Sequence, residues 1–184
     1  WGWRIQGTAK RAGDFHTPTY QLSNTGIREL NYAAATGYHR EHAGIDIFFS
    51  HFQSKVGILK GASINSLDDL VTAMESDVPA YTSDFSYDIN TPRQEVMHNL
   101  LKLNGHAETP RGEWRWQYGF QHNHRKEFDL RVGDLSSIAS MDLDLQTHST
   151  DIAWETHHSE KRTHAFGVNT SYQKNTNIAG TQRI

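Results

Sequence analysis

Hydrophobic and polar residues alternate with a period of two in three well-separated stretches of this chain. The clearest stretch has Trp114, Trp116, Tyr118 and Phe120 in one phase and Glu113, Arg115, Gln117 and Gln121 in the other. The first residues, with Trp1, Trp3 and Ile5, and a late segment, with Phe166, Val168 and Tyr172 against Asn169 and Gln173, repeat it. Because successive side chains of a strand point to opposite faces, each stretch predicts a β-strand with one apolar and one polar face.

Seven strands are predicted in this way. They cover residues 1–11, 30–40, 44–59, 96–107, 113–124, 143–156 and 163–174. The connections alternate between short turns at 40–43, 109–112 and 157–162 and long segments at 12–29, 60–95 and 125–142. This alternation is typical of an up-and-down transmembrane β-barrel, with tight turns on one side and long loops on the other. We therefore predict an all-β, antiparallel meander in which each strand pairs with its sequence neighbour.

The longest connection contains the only helical pattern. Ser66 is a candidate N-cap with Asp69 three residues later, and an apolar stripe follows it at helical spacing. The stripe consists of Leu67, Leu70, Val71 and Met74. We expect a short helix over 66–76 that packs on neighbouring loops, and the alternative is a lid over a ligand.

Composition narrows the function classes. Aromatic residues make up 11% of the 184 residues, which argues against disorder. No run approaches the roughly 18 apolar residues of a membrane helix, although strands of a barrel need no such run. The net charge of −3 gives no electrostatic basis for nucleic-acid binding. Since Trp1 already belongs to a strand pattern, we expect the chain to be an internal fragment of a longer protein.

The twelve histidines and the absence of cysteine give no expectation of a metal site or of catalysis. Three close histidine pairs occur, at 39/42, 122/124 and 157/158, but none belongs to an HExxH motif or a three-ligand spacing. Nucleotide-binding and nucleophile motifs are absent from the sequence, as is a carboxylate pair spaced for acid–base work. We therefore predict no enzyme, no cofactor and no metal.

Several strings, in their order along the chain, resemble TonB-dependent outer-membrane receptors of the Bacteroides type. They are YQLSNTG at 20–26, YHR at 38–40 with AGIDIFFSHF at 43–52 and VGIL at 56–59, TPRQEVMH at 91–98, QYGFQHNHRKEFD at 117–129, and GVN at 167–169 with Gln173 and Asn175. Together they extend over essentially the whole chain. The resemblance implies about seven strands of a larger, plugged barrel, of the 22-stranded class, in a bacterial outer membrane.

The same resemblance implies the function and the partners. It implies TonB-energised uptake of a scarce nutrient, in the class of siderophore–iron complexes, cobalamins or glycans. The partners would be the receptor's own plug domain, the TonB complex, outer-membrane lipid and a small-molecule or metal-chelate substrate. The plug and the TonB-contacting segment are not in this sequence.

The rival hypothesis is a soluble, lipocalin-like up-and-down barrel whose aromatic residues surround a small apolar ligand. A secreted hydrolase on a β scaffold is a third reading, without a nucleophile to support it.

In a plugged barrel, substrate arrives from outside, so its contacts are expected in the external loops and upper lumen. The candidate loops are 14–24, 60–90 and the one that begins at His124. The candidate ligand-binding residues at the rim are Arg93, His122, Asn123, His124 and Arg125. His122 and His124 are in phase with the Trp114 stripe, which counts against a lumen position for them. The aromatic stripe should face lipid, and Arg115, Gln117, Gln121, Asn169 and Gln173 should face the lumen or plug.

Overall fold

Seven strands in sequence order form one antiparallel sheet. The structure, a computed structural model, describes residues 1–62, 66–79, 81–130, 133–159 and 162–178. The strands are β1 (Gly2–Ala12), β2 (Ile27–His39), β3 (Ala43–Gly57), β4 (Arg93–Thr109), β5 (Gly112–Phe128), β6 (Met141–Ser159) and β7 (Arg162–Asn177). Each strand pairs with its sequence neighbour, so the predicted meander is confirmed. In the part of the chain that the structure describes, β1 and β7 do not pair, and the sheet is open.

Five of the seven strands, β2 and β4 to β7, are longer than the periodicity predicted, mainly at the end with long connections. The prediction for β4 began at Val96 and the strand begins at Arg93; β5 continues past His124 to Phe128. The added residues pair in register, with Arg93 opposite Phe128. Apart from Phe128, the residues added to β4 and β5 are polar on both faces, so the hydrophobic alternation that revealed the rest of each strand ends before the backbone ladder does.

All three short turns lie at one end of the sheet, and all three long connections lie at the other. At the short-turn end, the backbone N–H of Arg40 donates to the carbonyl of Ala43 at 2.7 Å, and the hydroxyl of Thr109 donates to the carbonyl of Gly112 at 2.8 Å. Residues 160–161 of the third predicted turn lie outside the described residues. The predicted short–long alternation is therefore confirmed as a difference between two ends of the sheet.

The register separates two faces. What we call the apolar face carries the predicted aromatic stripe, because Trp114 pairs with Trp154, and Trp154 pairs with Phe166. Its other members include Trp3, Ile5, Tyr38, Ile45, Ile47, Phe49, Leu101, Leu103, Trp116, Tyr118, Phe120, Ile152, Val168 and Tyr172. On the opposite side, the polar face carries Arg115, Gln117, Gln121, Asn169 and Gln173 as predicted. The assignment of these residues to two opposite faces is confirmed.

The predicted helix forms, but its predicted packing is wrong. It spans Leu67–Glu75 and is called α1; the Ser66 hydroxyl accepts a hydrogen bond from the Asp69 backbone N–H at 3.0 Å. All nine helical residues are exposed, including Leu67 and Met74, which are 75% and 78% exposed. Capping and periodicity are local and therefore predicted the helix, whereas none of the residues in its apolar stripe is buried.

Candidate functional site

The long connections gather at one end of the sheet and form a single bonded layer. We call them L1 (residues 13–26), L2 (58–92) and L3 (129–140); residues 63–65, 80 and 131–132, within the candidate loops, lie outside the described residues. Connections of this kind hold most binding residues in proteins, because a rigid scaffold positions them while their sequence is free to vary. The layer therefore defines the candidate site region.

Asn24 links L1 to both ends of L2. Its side-chain amide donates to the carbonyl of Ile58 at 2.9 Å and to that of Pro92 at 2.7 Å. Its side-chain oxygen accepts from the backbone N–H of Asn90 at 2.7 Å. The residue is buried and has a φ of 59°, a left-handed conformation that asparagine tolerates better than most residues. Asn24 thus acts as a structural link rather than as an exposed ligand contact.

Asp14 and Ser23 complete the junction between L1 and L2. The buried carboxylate of Asp14 accepts from the backbone N–H of Thr25 at 2.7 Å, and the backbone N–H of Asp14 donates to the carbonyl of Ser86 at 2.9 Å. The hydroxyl of Ser23 donates to the carbonyl of Tyr81 at 3.1 Å. Both ends of the candidate loop 14–24 are therefore used for folding, and its exposed part lies between them.

L3 is joined to the same layer. The hydroxyl of Thr91 donates to the carbonyl of Ser136 at 3.3 Å, and the guanidinium of Arg93 donates to the hydroxyl of Thr91 at 3.0 Å. The Thr91–Pro92 peptide bond between these contacts is cis. These bonds place the start of β4 at the centre of the layer.

The five predicted ligand-binding residues all lie at the end of the sheet with the long loops, but on two different faces. Arg93, His122 and His124 share the apolar face, in register with the aromatic stripe. Asn123 and Arg125 lie on the polar face. The two histidines therefore lie on the same face as the aromatic stripe, as their phase in the sequence indicated. The structure does not bring the five side chains to one surface.

The three residues on the apolar face already have partners. His122 Nε2 lies 2.6 Å from Asp144 Oδ2, and His124 Nε2 lies 2.6 Å from Asp142 Oδ1. Arg93 donates from Nε to Glu95 at 2.8 Å, and its guanidinium lies 3.8 Å from the centre of the Phe128 ring. Except for the Arg93–Glu95 pair, which lies within β4, these contacts join neighbouring strands, which is a structural role.

The two residues on the polar face belong to a larger group of side chains, which we call the rim cluster: Gln94, His98, Asn123, Arg125 and Glu127. Asn123 Nδ2 lies 3.3 Å from His98 Nδ1. The Glu127 carboxylate accepts from Arg125 Nε at 3.0 Å and from Gln94 Nε2 at 3.3 Å. The cluster combines amide, imidazole, guanidinium and carboxylate groups, and it can donate to and accept from a polar ligand.

Sequence reasoning missed three of these five residues, namely Gln94, His98 and Glu127. Gln94 and His98 lie on β4, and they become neighbours of Glu127 and Asn123 only through the β4–β5 register. A usable signal was present, because the turn at 109–112 fixes that register and hence the partner of every β5 residue. Extending the hairpin from this turn would have located both side chains.

The described residues show neither a cluster of metal ligands nor a helix that could span a bilayer. Within the described parts of the chain, no three His, Asp or Glu side chains lie close enough together to hold a metal ion. The helices that the structure describes are too short and too polar to span a bilayer. Comparison of the chain with protein-family models, with curated proteins and with solved structures found no match.

Proposed function

We propose that this chain is part of the wall of a TonB-dependent outer-membrane receptor, which takes up a scarce nutrient such as a siderophore–iron complex, a cobalamin or a glycan. The apolar face carries the proposal. In the described strands, the exposed large hydrophobic side chains all lie on this face, with the single exception of Phe52. Water does not favour such a continuous surface, whereas the acyl chains of a bilayer do.

On β3, β4, β5 and β7 the apolar face changes character at a common height, which supports a membrane boundary, whereas on β2 apolar side chains continue to Leu30. On β3 the apolar series ends at Phe49 and continues with His51; on β5 it ends at Phe120 and continues with His122. We call the apolar part, on the short-turn side of this boundary, the belt. Strands β3 to β7, with 15 to 19 residues each, exceed the roughly 9–11 needed to cross a bilayer, so their polar remainder would project outside it.

The ring contacts at the short-turn edge of the belt fit an interfacial aromatic girdle. The Trp114 and Trp154 rings are 4.7 Å apart, and the Trp1 and Tyr38 rings are 6.2 Å apart, measured between centroids. Tryptophan and tyrosine concentrate at both interfaces of membrane barrels because their rings are amphipathic. On this basis the short turns are periplasmic and L1, L2 and L3 are external.

The polar face suits a wet lumen or the surface of a plug. One cross-strand row passes through Asp46, Asn104, Gln117, Asp151 and Asn169 without an apolar member. The side-chain oxygen of Asn104 is buried and accepts no hydrogen bond among the described residues. Buried polar atoms are normally bonded, so a plug residue or an ordered water is the expected donor. The rim cluster, on the same face, is then the proposed ligand contact.

Cell fractionation tests the proposed location. The complete receptor should sediment with outer membranes and resist extraction by carbonate or urea. Recovery in the soluble periplasmic fraction would contradict the proposal and favour the lipocalin-like barrel, in which the tryptophans line a closed cavity.

Substitutions at the two ends of the sheet test the site. Asn123→Ala with Arg125→Ala should weaken ligand uptake by the complete receptor at least about tenfold, as for the loss of charge-assisted hydrogen bonds. The matched variant Arg40→Ala with His42→Ala, in a short turn, should not. Equal losses from both variants, with equal loss of receptor from the membrane, would show a folding defect and exclude the site assignment.

A further inference from the structure

Three cations stand side by side on the apolar face at its long-loop end, just beyond the last apolar side chains of β1 and β2. Arg11, Arg28 and Lys55 are direct cross-strand neighbours on β1, β2 and β3, and we call them the cation row. Directly opposed side chains have Cβ atoms about 4.5–5.5 Å apart, and like charges in such pairs destabilise a sheet. The next positions on this face toward the short turns are Ala9 and Leu30 on the first two strands. Repulsion between the three cations therefore destabilises the sheet here, and apolar surface adjoins the row on its short-turn side.

The described side chains offer little counter-charge. Lys55 Nζ lies 3.6 Å from Glu95, but that carboxylate also accepts from Arg93 Nε at 2.8 Å. Arg28 is exposed and has no ion pair among the described residues, and its sequence neighbour Glu29 lies on the opposite face. Of the three adjacent cations, Lys55 thus shares one carboxylate with Arg93, and Arg11 and Arg28 have no ion pair among the described residues.

One end of the row is held by an aromatic ring. The Arg11 guanidinium lies 4.8 Å from the centre of the Tyr87 ring, which belongs to L2. A guanidinium over a ring keeps its edge N–H groups available for an anion. Toward the belt, Leu30 and Tyr32 are 48% and 46% exposed and offer apolar contact. Charge and apolar surface therefore adjoin in the order that a lipid headgroup and its acyl chains require.

We propose that the cation row binds the phosphate groups of a phosphorylated outer-leaflet lipid whose acyl chains lie against Leu30 and Tyr32 and extend from there onto the belt. The inference rests on the proposed membrane location. Phosphate offers several oxygens to guanidinium and ammonium donors, and such bonds are stronger than neutral ones. A bound phosphate also removes the repulsion within the row. A free phosphate ion supplies the charge but not the apolar contact, so the lipid is the favoured occupant.

The test uses the complete receptor, purified from outer membranes in a non-ionic detergent. Binding of lipid A with two phosphates is compared with that of the same lipid with its phosphates removed. The variant replaces Arg11, Arg28 and Lys55 with glutamine. The matched control replaces Arg4, Lys10 and Lys102 with glutamine, which removes the same charge from the polar face of β1 and β4. Recovery of each variant from the membrane fraction verifies folding.

We expect the cation-row variant to bind phosphorylated lipid A at least about tenfold more weakly, as for the loss of one or more charge-assisted bonds, while the control binds as the parent does. The parent should bind the phosphate-free lipid about as weakly as the variant binds lipid A. Equal weakening in both variants, or equal binding of both lipids, would overturn the proposal. Competition by millimolar inorganic phosphate would show an anion site instead of a lipid site. Absence of the parent receptor from membranes would instead refute the proposed function.

Discussion

At the scale of single residues, the depth of a side chain in the belt should decide what a charge costs. Leu103 lies near the middle of the belt on β4, whereas Trp114 lies at its short-turn edge. Leu103→Arg should lower the free energy of unfolding in lipid by roughly 2–4 kcal/mol, and the charge introduced by Trp114→Arg should cost only about 0–1 kcal/mol. Denaturant titration of the receptor in vesicles measures both.

Gln117→Arg is the matched control for Leu103→Arg. It places the same side chain at a similar height on the polar face, where Gln117 pairs with Asn104 and Asp151. We expect the free energy of unfolding to change by less than about 1 kcal/mol, because the lumen of the proposed barrel would be wet and would solvate the guanidinium. A penalty as large as that of Leu103→Arg would mean that the two faces do not differ in solvent.

Asn24 allows a second prediction at this scale. Asn24→Gly keeps the left-handed backbone accessible and removes the bonds to Ile58, Asn90 and Pro92. Because it leaves buried polar groups unpaired, the opening of L2 should become easier by about 1–3 kcal/mol. Hydrogen exchange at the amide of Asn90 measures this opening. Unchanged exchange at this amide would show that L1 does not hold L2 in place.

At the scale of elements, the turn at Gly112 should control the pairing on both sides of β5. Gly112 has a φ of +155°, and an added Cβ would lie 2.2 Å from the Glu155 carbonyl oxygen. Gly112→Ala should therefore cost about 1–3 kcal/mol in unfolding free energy through strain at this position. In Gly7→Ala the nearest atom, the Asn31 carbonyl oxygen, is 3.7 Å away, so this control should be nearly neutral. Equal effects would exclude the turn as the cause.

The sequence predicted the strands because alternation is a local property, as at Trp114, Trp116 and Tyr118. It predicted α1 through the Ser66 cap, but not the exposure of its apolar stripe, because packing depends on partners far along the chain. The link made by Asn24 joins residues 34 to 68 positions apart, which no local pattern reveals. The period-two pattern of the sequence predicts that the candidate rim residues divide between two faces of the sheet. The contact between Asn123 and His98 depends on the register in which β4 and β5 pair.

At the scale of the whole molecule, an open seven-stranded sheet leaves two edge strands unpaired. The outer edges of β1 and β7 have no partner strand among the described residues. Unpaired edges invite association with other chains, and closed barrels have none. If the chain is the wall of a larger barrel, expressing residues 1–184 alone should give aggregates in water, whereas the complete receptor should be monodisperse in detergent. Light scattering measures this difference, and a monomeric, water-soluble form of the isolated chain would contradict it.

The most direct test of the membrane assignment is a spin-label scan along β4 in the complete receptor, reconstituted in lipid vesicles. The chain has no cysteine, so a single cysteine introduced into β4 is the only residue of this chain that the spin label modifies. Labels at 101, 103, 105 and 107 should be more accessible to oxygen, which enters the bilayer, than to a water-soluble nickel chelate. Labels at 102 and 104 should show the reverse, and this alternation should disappear at 95–99, where the apolar face becomes polar. A label at 103 shielded from both reagents would place Leu103 in a closed core and contradict the account.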